Sequence, residues 1–171
     1  MARIGLFYGS TTGDTLKVAE LIQEEFGSDA VDLIDVANAS PADLRKYDAL
    51  IFGTSTWHWG GLQDEWAVFE DSLTQEALNG KKVALFGLGD QKRYADHFVD
   101  GIGLLYEKVK PMVGQVVGMW PKDGYDYNAS AAEQDDHLVG LAIDQDNEAD
   151  QTPVRVKQWV QQLKKEFEAA S

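Results

Sequence analysis

Short blocks of apolar and polar residues alternate along the chain. Continuous apolar runs bounded by Gly, Asn or Pro predict buried strands, whereas apolar residues at every third or fourth position predict amphipathic helices. The predicted strands are Arg3 to Tyr8, Val31 to Ile34, Ala49 to Thr54, Val83 to Leu88 and Gln115 to Trp120. Because the two kinds of block alternate, the pattern predicts an α/β fold with a parallel sheet covered by helices on both faces.

The segments between these strands have helical spacing. Predicted helices span Leu16 to Phe26, Gln63 to Leu73 and Ile102 to Val113, and a short one begins at Ser40 and Pro41. The last helix has an apolar stripe at i, i+3, i+4, i+7 and i+11, formed by Val156, Trp159, Val160, Leu163 and Phe167.

One polar segment, Pro121 to Asp136, interrupts the alternation and precedes another apolar run, Leu138 to Ile143. This pattern predicts an excursion inserted within or beside the last strand. Long loops in compact domains are usually functional or partly structured. We call residues 121–136 the insert.

The length and composition of the chain limit the classes of function that it can have. A chain of 171 residues is the size of one α/β domain, so we expect a single domain over residues 1–171. The chain has no cysteine, which excludes disulfides and Cys-ligated clusters, so any redox chemistry must come from a bound organic cofactor. No apolar stretch approaches the ~20 residues of a membrane span, and we expect a soluble, cytoplasmic protein.

The chain is strongly acidic, with 29 acids against 15 bases and a formal charge of −14. This charge argues against nucleic-acid and anionic-membrane partners and favours basic ones, although taken alone it is explained more simply by solubility or a saline habitat. Six acids lie close together in sequence in and after the insert: Asp123, Asp126, Asp135, Asp136, Asp144 and Asp146.

Loops after the strands supply the candidate site, since ligands of open α/β sheets bind beyond the carboxyl ends of the strands. The first loop, Gly9 to Thr15, offers hydroxyls and backbone N–H groups at a helix start and could hold a phosphate, or simply cap the helix. It lacks the Gly-Lys-Ser/Thr and GxGxxG spacings of triphosphate and dinucleotide sites. The later loops add Trp57, Trp59 and Tyr94, which could stack on both sides of a flat ring or serve in packing.

Three motifs resemble the flavodoxin family: GSTTGDT its phosphate loop, TSTWHWG the loop over one flavin face, and GLGDQKRYADHF the loop over the other. WPKDGYDYNAS and HLVGLAIDQDN resemble the inserted loop and last half-strand of its long-chain members. The resemblance implies a three-layer, doubly wound, five-stranded parallel sheet of order 2-1-3-4-5, with the last strand interrupted by the insert. It also implies bound FMN.

The resemblance assigns site residues by position. It places the FMN phosphate on Ser10, Thr11, Thr12, Gly13, Asp14 and Thr15, and one side of the ring on the loop Thr54, Ser55, Thr56, Trp57, His58, Trp59 and Gly60. It places the other side and the pyrimidine edge on Leu88, Gly89, Asp90, Tyr94 and His97, and the ribityl chain near Asp146. Ser55, Gly61 and His97 depart from residues common in the family (Pro, an acid and Asn), so we expect different hydrogen bonds at the ring edge and a different tuning of the flavin.

The implied function is a monomeric one-electron carrier, not an enzyme, working between a reductase and acceptor redox proteins with basic docking patches. The alternative is an FMN-dependent NAD(P)H quinone or azo reductase on the same fold. A phosphoacceptor receiver domain is disfavoured, because Thr54 stands where such a domain needs Asp. A metal site is not expected, since His58, His97 and His137 lack ligand spacing.

Overall fold

A parallel sheet forms the centre of the molecule. The computed structural model describes residues 4–9, 13–57, 61, 62, 66, 69–93 and 95–168. Its strands are β1 (Ile4–Tyr8), β2 (Val31–Asp35), β3 (Ala49–Trp57), β4 (Gly61–Leu62), β5 (Lys82–Leu88), β6 (Gln115–Val117), β7 (Trp120–Pro121), β8 (Glu133–Gln134), β9 (His137–Leu138) and β10 (Leu141–Ile143). Its α-helices are α1 (Asp14–Phe26), α2 (Pro41–Arg45), α3 (Gln75–Leu78), α4 (Asp100–Val109) and α5 (Thr152–Glu168).

The strand order of the main sheet is β2-β1-β3-β5-β10, all parallel. β6 also pairs with β5, in parallel, so β6 and β10 occupy the same edge position. Val116 of β6 lies opposite Val83, and Leu141 of β10 lies opposite Phe86. The predicted order and the interrupted last strand are therefore confirmed.

Helices cover both faces of the sheet. Successive residues of a strand point to opposite faces. Phe86 of β5 meets Trp159 of α5, with ring centroids 6.3 Å apart. A Cβ on the next residue, Gly87, would lie only 2.6 Å from Ile102 of α4, which therefore packs directly on the strand backbone. Thus α4 and α5 pack on opposite faces, as the alternating pattern predicts.

The core lies where these layers meet. Residues from Val83 to Phe86 and from Leu50 to Phe52 are fully buried, as expected for central parallel strands. Four members of the predicted stripe of α5 are buried, and Phe167 is half-buried. Pro41 begins α2 as predicted, and the Asp43 carboxylate accepts a hydrogen bond from the Ser40 N–H at 2.9 Å.

One predicted strand and one apolar run are each divided in the structure. Gln115 to Trp120 divides into β6 and β7 because Gly118 adopts φ +80°, a left-handed conformation that a strand does not contain. The Gly118 carbonyl accepts a hydrogen bond from Trp159 Nε1 at 2.9 Å, which holds this break against α5. Leu138 to Ile143 likewise divides into β9 and β10. Residues 63–65, 67 and 68 of the predicted helix from Gln63 to Leu73 lie outside the described residues; Trp66 and Phe69 are helical, and Glu70–Ser72 form a 3-10 helix.

The insert is partly structured, as its length in a compact domain led us to expect. β7, β9 and β8 form a small antiparallel sheet beside the main one. The Tyr125 hydroxyl donates to the carbonyl of Ala142 in β10 at 2.5 Å and accepts from Trp120 Nε1 at 3.0 Å. Burial raises the pKa of Tyr125 to about 12, so the hydroxyl keeps its proton and its hydrogen bond to Ala142 into alkaline pH. The insert is thereby anchored to the edge of the main sheet.

Candidate functional site

The loops predicted to form the site meet at the carboxyl edge of the sheet. Tyr8 lies opposite Gly53, and the Gly9 N–H donates to the Gly53 carbonyl at 3.1 Å. Leu88 lies opposite Ser55 on one side and Ile143 on the other. The chain segments after β1, β3, β5 and β10 therefore leave the sheet together.

The first of these segments leads into the N-terminus of α1. Gly13 occupies the N-cap with φ +92°, a conformation in which an L side chain is strained, and no side chain of the described residues caps the helix. The first N–H groups of a helix have no acceptor within it. These donors and the helix dipole fit a phosphate. Thr15, in the first turn, is buried.

The ends of β3 and β5 form the floor of the site. Thr54 is buried, and its hydroxyl donates to the carbonyl of Ser55 at 3.0 Å. Leu88 is also buried, and the Gly89 N–H donates to the Ile143 carbonyl at 3.0 Å. A Cβ on Gly89 would lie 2.9 Å from the backbone nitrogen of Val99. The backbone after β5 thus packs closely on the start of α4.

Asp90 is held as a carboxylate. Its Oδ1 accepts hydrogen bonds from the N–H groups of Lys92 at 3.0 Å and Arg93 at 2.8 Å, and from Asn147 Nδ2 at 2.8 Å. Burial opposes ionisation, but the bonds from Arg93, Asn147 and Lys92 outweigh it and lower the pKa of Asp90. A negative charge is therefore fixed at this edge.

Acids from three segments share this edge. The pKa of Asp146 is raised, first by desolvation and then by the charges of Asp90, Asp144 and Asp14, in that order. We call Asp14, Asp90, Asp144 and Asp146 the acidic cluster. Its members follow β1, β5 and β10, so the fold concentrates negative charge where these segments meet.

His97 lies farther along the loop after β5. Its Nδ1 is 2.9 Å from Asp100 Oδ2, and Asp100 Oδ1 accepts the Ala131 N–H at 2.6 Å. Asp100 is buried and His97 is half-buried. His97 is therefore turned toward α4 and the insert through Asp100.

Three residues that the sequence analysis did not single out as site residues join these segments. Buried Asp144 accepts the Gln91 N–H at 3.1 Å and the Asn147 N–H at 3.0 Å. An acid after a strand, followed three residues later by Asn, is a turn signal that could have identified Asp144 and Asn147. Gln91 carries no local signal, because its side-chain partners are distant in sequence.

Several predicted site residues lie outside the described part of the chain: Ser10, Thr11, Thr12, His58, Trp59, Gly60 and Tyr94. Thr56 and Trp57 are described only as backbone positions in β3. Within the described residues, no group of three or more His, Asp or Glu side chains is arranged to hold a metal ion. The same residues contain no helix that is long and apolar enough to cross a membrane.

A cavity of about 580 Å³ lies at the opposite, amino edge of the sheet. Ile4, Ala49 and Lys82, at the amino ends of β1, β3 and β5, line it together with Phe26 and Phe167. It contains none of the predicted site residues.

Known proteins match both the sequence and this fold. The family model described as flavodoxin matches residues 6–159. A flavodoxin of Synechococcus elongatus is 52% identical over 98% of this chain and 99% of its own length, and flavodoxin 1 of Escherichia coli is 44% identical over 98% and 96%. A Fusobacterium nucleatum flavodoxin bound to flavin mononucleotide superposes with a TM-score of 0.92 at 32% identity, covering 98% of this chain and 100% of that one. The chain belongs to the flavodoxin family.

Proposed function

We propose that this protein binds one FMN noncovalently at the carboxyl edge of the sheet and carries single electrons between redox proteins. The observation that supports this proposal most strongly is the N-terminus of α1, with Gly13 at its N-cap, beside the ends of β3 and β5. It offers phosphate donors at the edge where a doubly wound sheet binds its ligand. The protein is an electron-transfer protein of the flavodoxin family, not an enzyme.

The proposed contacts follow the segments that meet there. Residues 10–15 bind the phosphate, 54–60 line one side of the ring, and 88–90 with Tyr94 and His97 line the other side and the pyrimidine edge. Asp146 lies toward the ribityl chain. The bound flavin supplies the redox chemistry, while these residues orient it and limit its contact with water. The fixed charge of the acidic cluster disfavours added negative charge on the flavin and so favours electron donation.

FMN and riboflavin provide the direct test, because they differ only in the phosphate. We expect the purified protein to be yellow, to release FMN on denaturation and, once stripped, to bind riboflavin more weakly than FMN in a fluorescence titration. Equal affinities would contradict the proposed phosphate site. Rapid oxidation of NAD(P)H by the pure protein with a quinone or azo dye would instead favour the reductase alternative.

We further propose that the protein acts as a monomer in the cytoplasm and as a single domain over residues 1–171. Its partners would be a reductase and an electron acceptor, each with a basic docking patch. The charge of −14 and the acidic cluster beside the flavin site support this choice of partner. The lack of cysteine suits a reducing compartment.

A further inference from the structure

Gln91 connects three segments of the chain through its own polar groups. It lies in the loop after β5 and is 4% exposed. Its backbone N–H donates to Asp144 Oδ2 at 3.1 Å, its side-chain Nε2 donates to Glu148 Oε1 at 2.6 Å, and its Oε1 accepts the Asp126 N–H at 2.5 Å. One buried side chain therefore joins the loop after β5 to the insert and to the segment before α5.

The insert contacts the same loop at further points beyond Gln91. The Asn128 N–H donates to the Ala95 carbonyl at 2.7 Å. The ring of Phe98 stacks on Tyr127 with centroids 5.1 Å apart. The Ser130 hydroxyl donates to the Phe98 carbonyl. The insert thus supports the loop between residues 91 and 98 from outside.

The inner end of this loop reaches the proposed flavin site. Asp90 precedes Gln91, and Asn147 Nδ2 bonds both Asp90 Oδ1 at 2.8 Å and Asp144 Oδ2 at 2.9 Å. Because Asp144 also accepts the Gln91 N–H, a shift of Gln91 would move the carboxylate that orients Asn147 and Asp90.

We infer that Gln91 is a positioning residue through which the insert holds residues 88–90 against the pyrimidine edge of the flavin. This inference rests on the proposed function. Gln91 does not touch the reacting ring; it acts through Asp90 and the backbone beside it. The insert is then a support for the cofactor site as well as a part of the surface.

Gln91→Leu tests the role by removing both side-chain hydrogen bonds while keeping a buried side chain of similar size. It leaves the Asp126 N–H without its acceptor and Glu148 Oε1 with Arg155 but without the Gln91 donor, and we expect FMN to bind roughly tenfold more weakly. Gln162→Leu is the matched control. Gln162 Nε2 donates to Met119 O at 2.8 Å and Glu166 Oε1 at 2.7 Å, away from the loop after β5.

A second pair of variants distinguishes the loss of the Gln91 hydrogen bonds from a general loss of folding stability. Gln91→Glu keeps an oxygen that can accept from the Asp126 N–H, but it places a second carboxylate next to that of Glu148, and the two negative charges repel each other. Adding Glu148→Gln restores a donor and acceptor at that contact. We expect the single variant to bind FMN more weakly and the double variant to recover most of the affinity. These variants preserve side-chain size, so they carry the test if Gln91→Leu does not fold.

The reduction potentials supply a measurement that a stability loss alone would not change. A loosened loop admits water, which solvates added charge, so in Gln91→Leu we expect a less negative potential for the second one-electron step than in the parent. Gln162→Leu should leave both potentials unchanged. If Gln91→Leu matches Gln162→Leu in affinity and potentials, the inference is overturned. If the parent itself binds no FMN, the proposed function fails instead.

Discussion

At the scale of single residues, the proposed site contains ionised and buried side chains, of which only some could be predicted from the sequence. The motif resemblance pointed to Asp90 and Asp146, and both lie at the carboxyl edge. Gln91 was not singled out, because a glutamine becomes a connecting residue only when the insert and the segment before α5 fold around it. The sequence predicts such a residue poorly, since hydrogen bonds between distant segments leave no local pattern.

Asp146 gives a pH-dependent prediction at this scale. Desolvation first, and then Asp90, Asp144 and Asp14, raise its pKa, with Arg93 offsetting part of the effect. A raised carboxyl pKa means that the folded state binds the proton more tightly, so this contribution favours folding at low pH and is lost as pH rises past the ordinary value toward the raised one. We therefore expect Asp146→Asn to unfold at higher urea concentration than the parent near pH 7.

The gain should shrink as pH falls through the raised pKa, because the parent then also carries a neutral group there. Urea midpoints measured from about pH 7 to about pH 4 check this trend. Asp71→Asn, which changes an exposed acid outside the acidic cluster, is the control for the change in net charge. A gain that is the same at every pH, or that Asp71→Asn reproduces, would contradict the assignment to the cluster.

At the scale of elements, hydrophobic periodicity predicted the central strands and the helices α1, α4 and α5, because burial on one or both faces leaves a strong pattern. It failed where a single backbone conformation decides the outcome. Gln115 to Trp120 is apolar enough to be one strand, but Gly118 breaks it by its positive φ and by a bond to Trp159 on α5. Predicting such a break from the sequence would require knowing that a helix distant in sequence packs against it.

Gly118→Ala tests this break. Gly118 has φ +80°, and an added Cβ would lie 3.0 Å from the Trp159 ring. The left-handed conformation alone costs about 1–2 kcal/mol in an alanine, and the contact adds to it. Gly124→Ala is a matched control, since Gly124 has φ +91° and its nearest atom to an added Cβ is 4.0 Å away.

Chemical denaturation of the two variants gives the comparison. We expect Gly124→Ala to lower the free energy of unfolding by about the cost of the left-handed backbone conformation. Gly118→Ala should lower it further and should also change the tryptophan fluorescence spectrum. Equal losses would mean that packing against Trp159 does not fix the break.

At the scale of the whole molecule, a charge of −14 and an acidic edge beside the proposed flavin site favour long-range attraction to a basic partner. Exposed charges are screened over about 10 Å at 0.1 M salt. We therefore expect the second-order rate of electron transfer from a basic reductase to fall as salt rises in stopped-flow mixing. The full salt range is needed, since an intermediate optimum would indicate that docking also involves rearrangement. A rate independent of salt would contradict the steering.

Together, β6 and β10 form one interrupted edge strand of the main sheet, and their register shows how the chain could be shortened. Val117 ends opposite Ala84 and Leu141 begins opposite Phe86, so one residue opposite Leu85 would complete a continuous strand. Residues 118–140 therefore leave and rejoin the sheet at one strand position, so a deletion can remove them without changing the strand order. Replacing residues 118–140 by one residue should preserve the secondary structure seen by circular dichroism. The shortened chain should be less stable and hold FMN more weakly, because Gln91 and Phe98 lose the partners that the insert supplies.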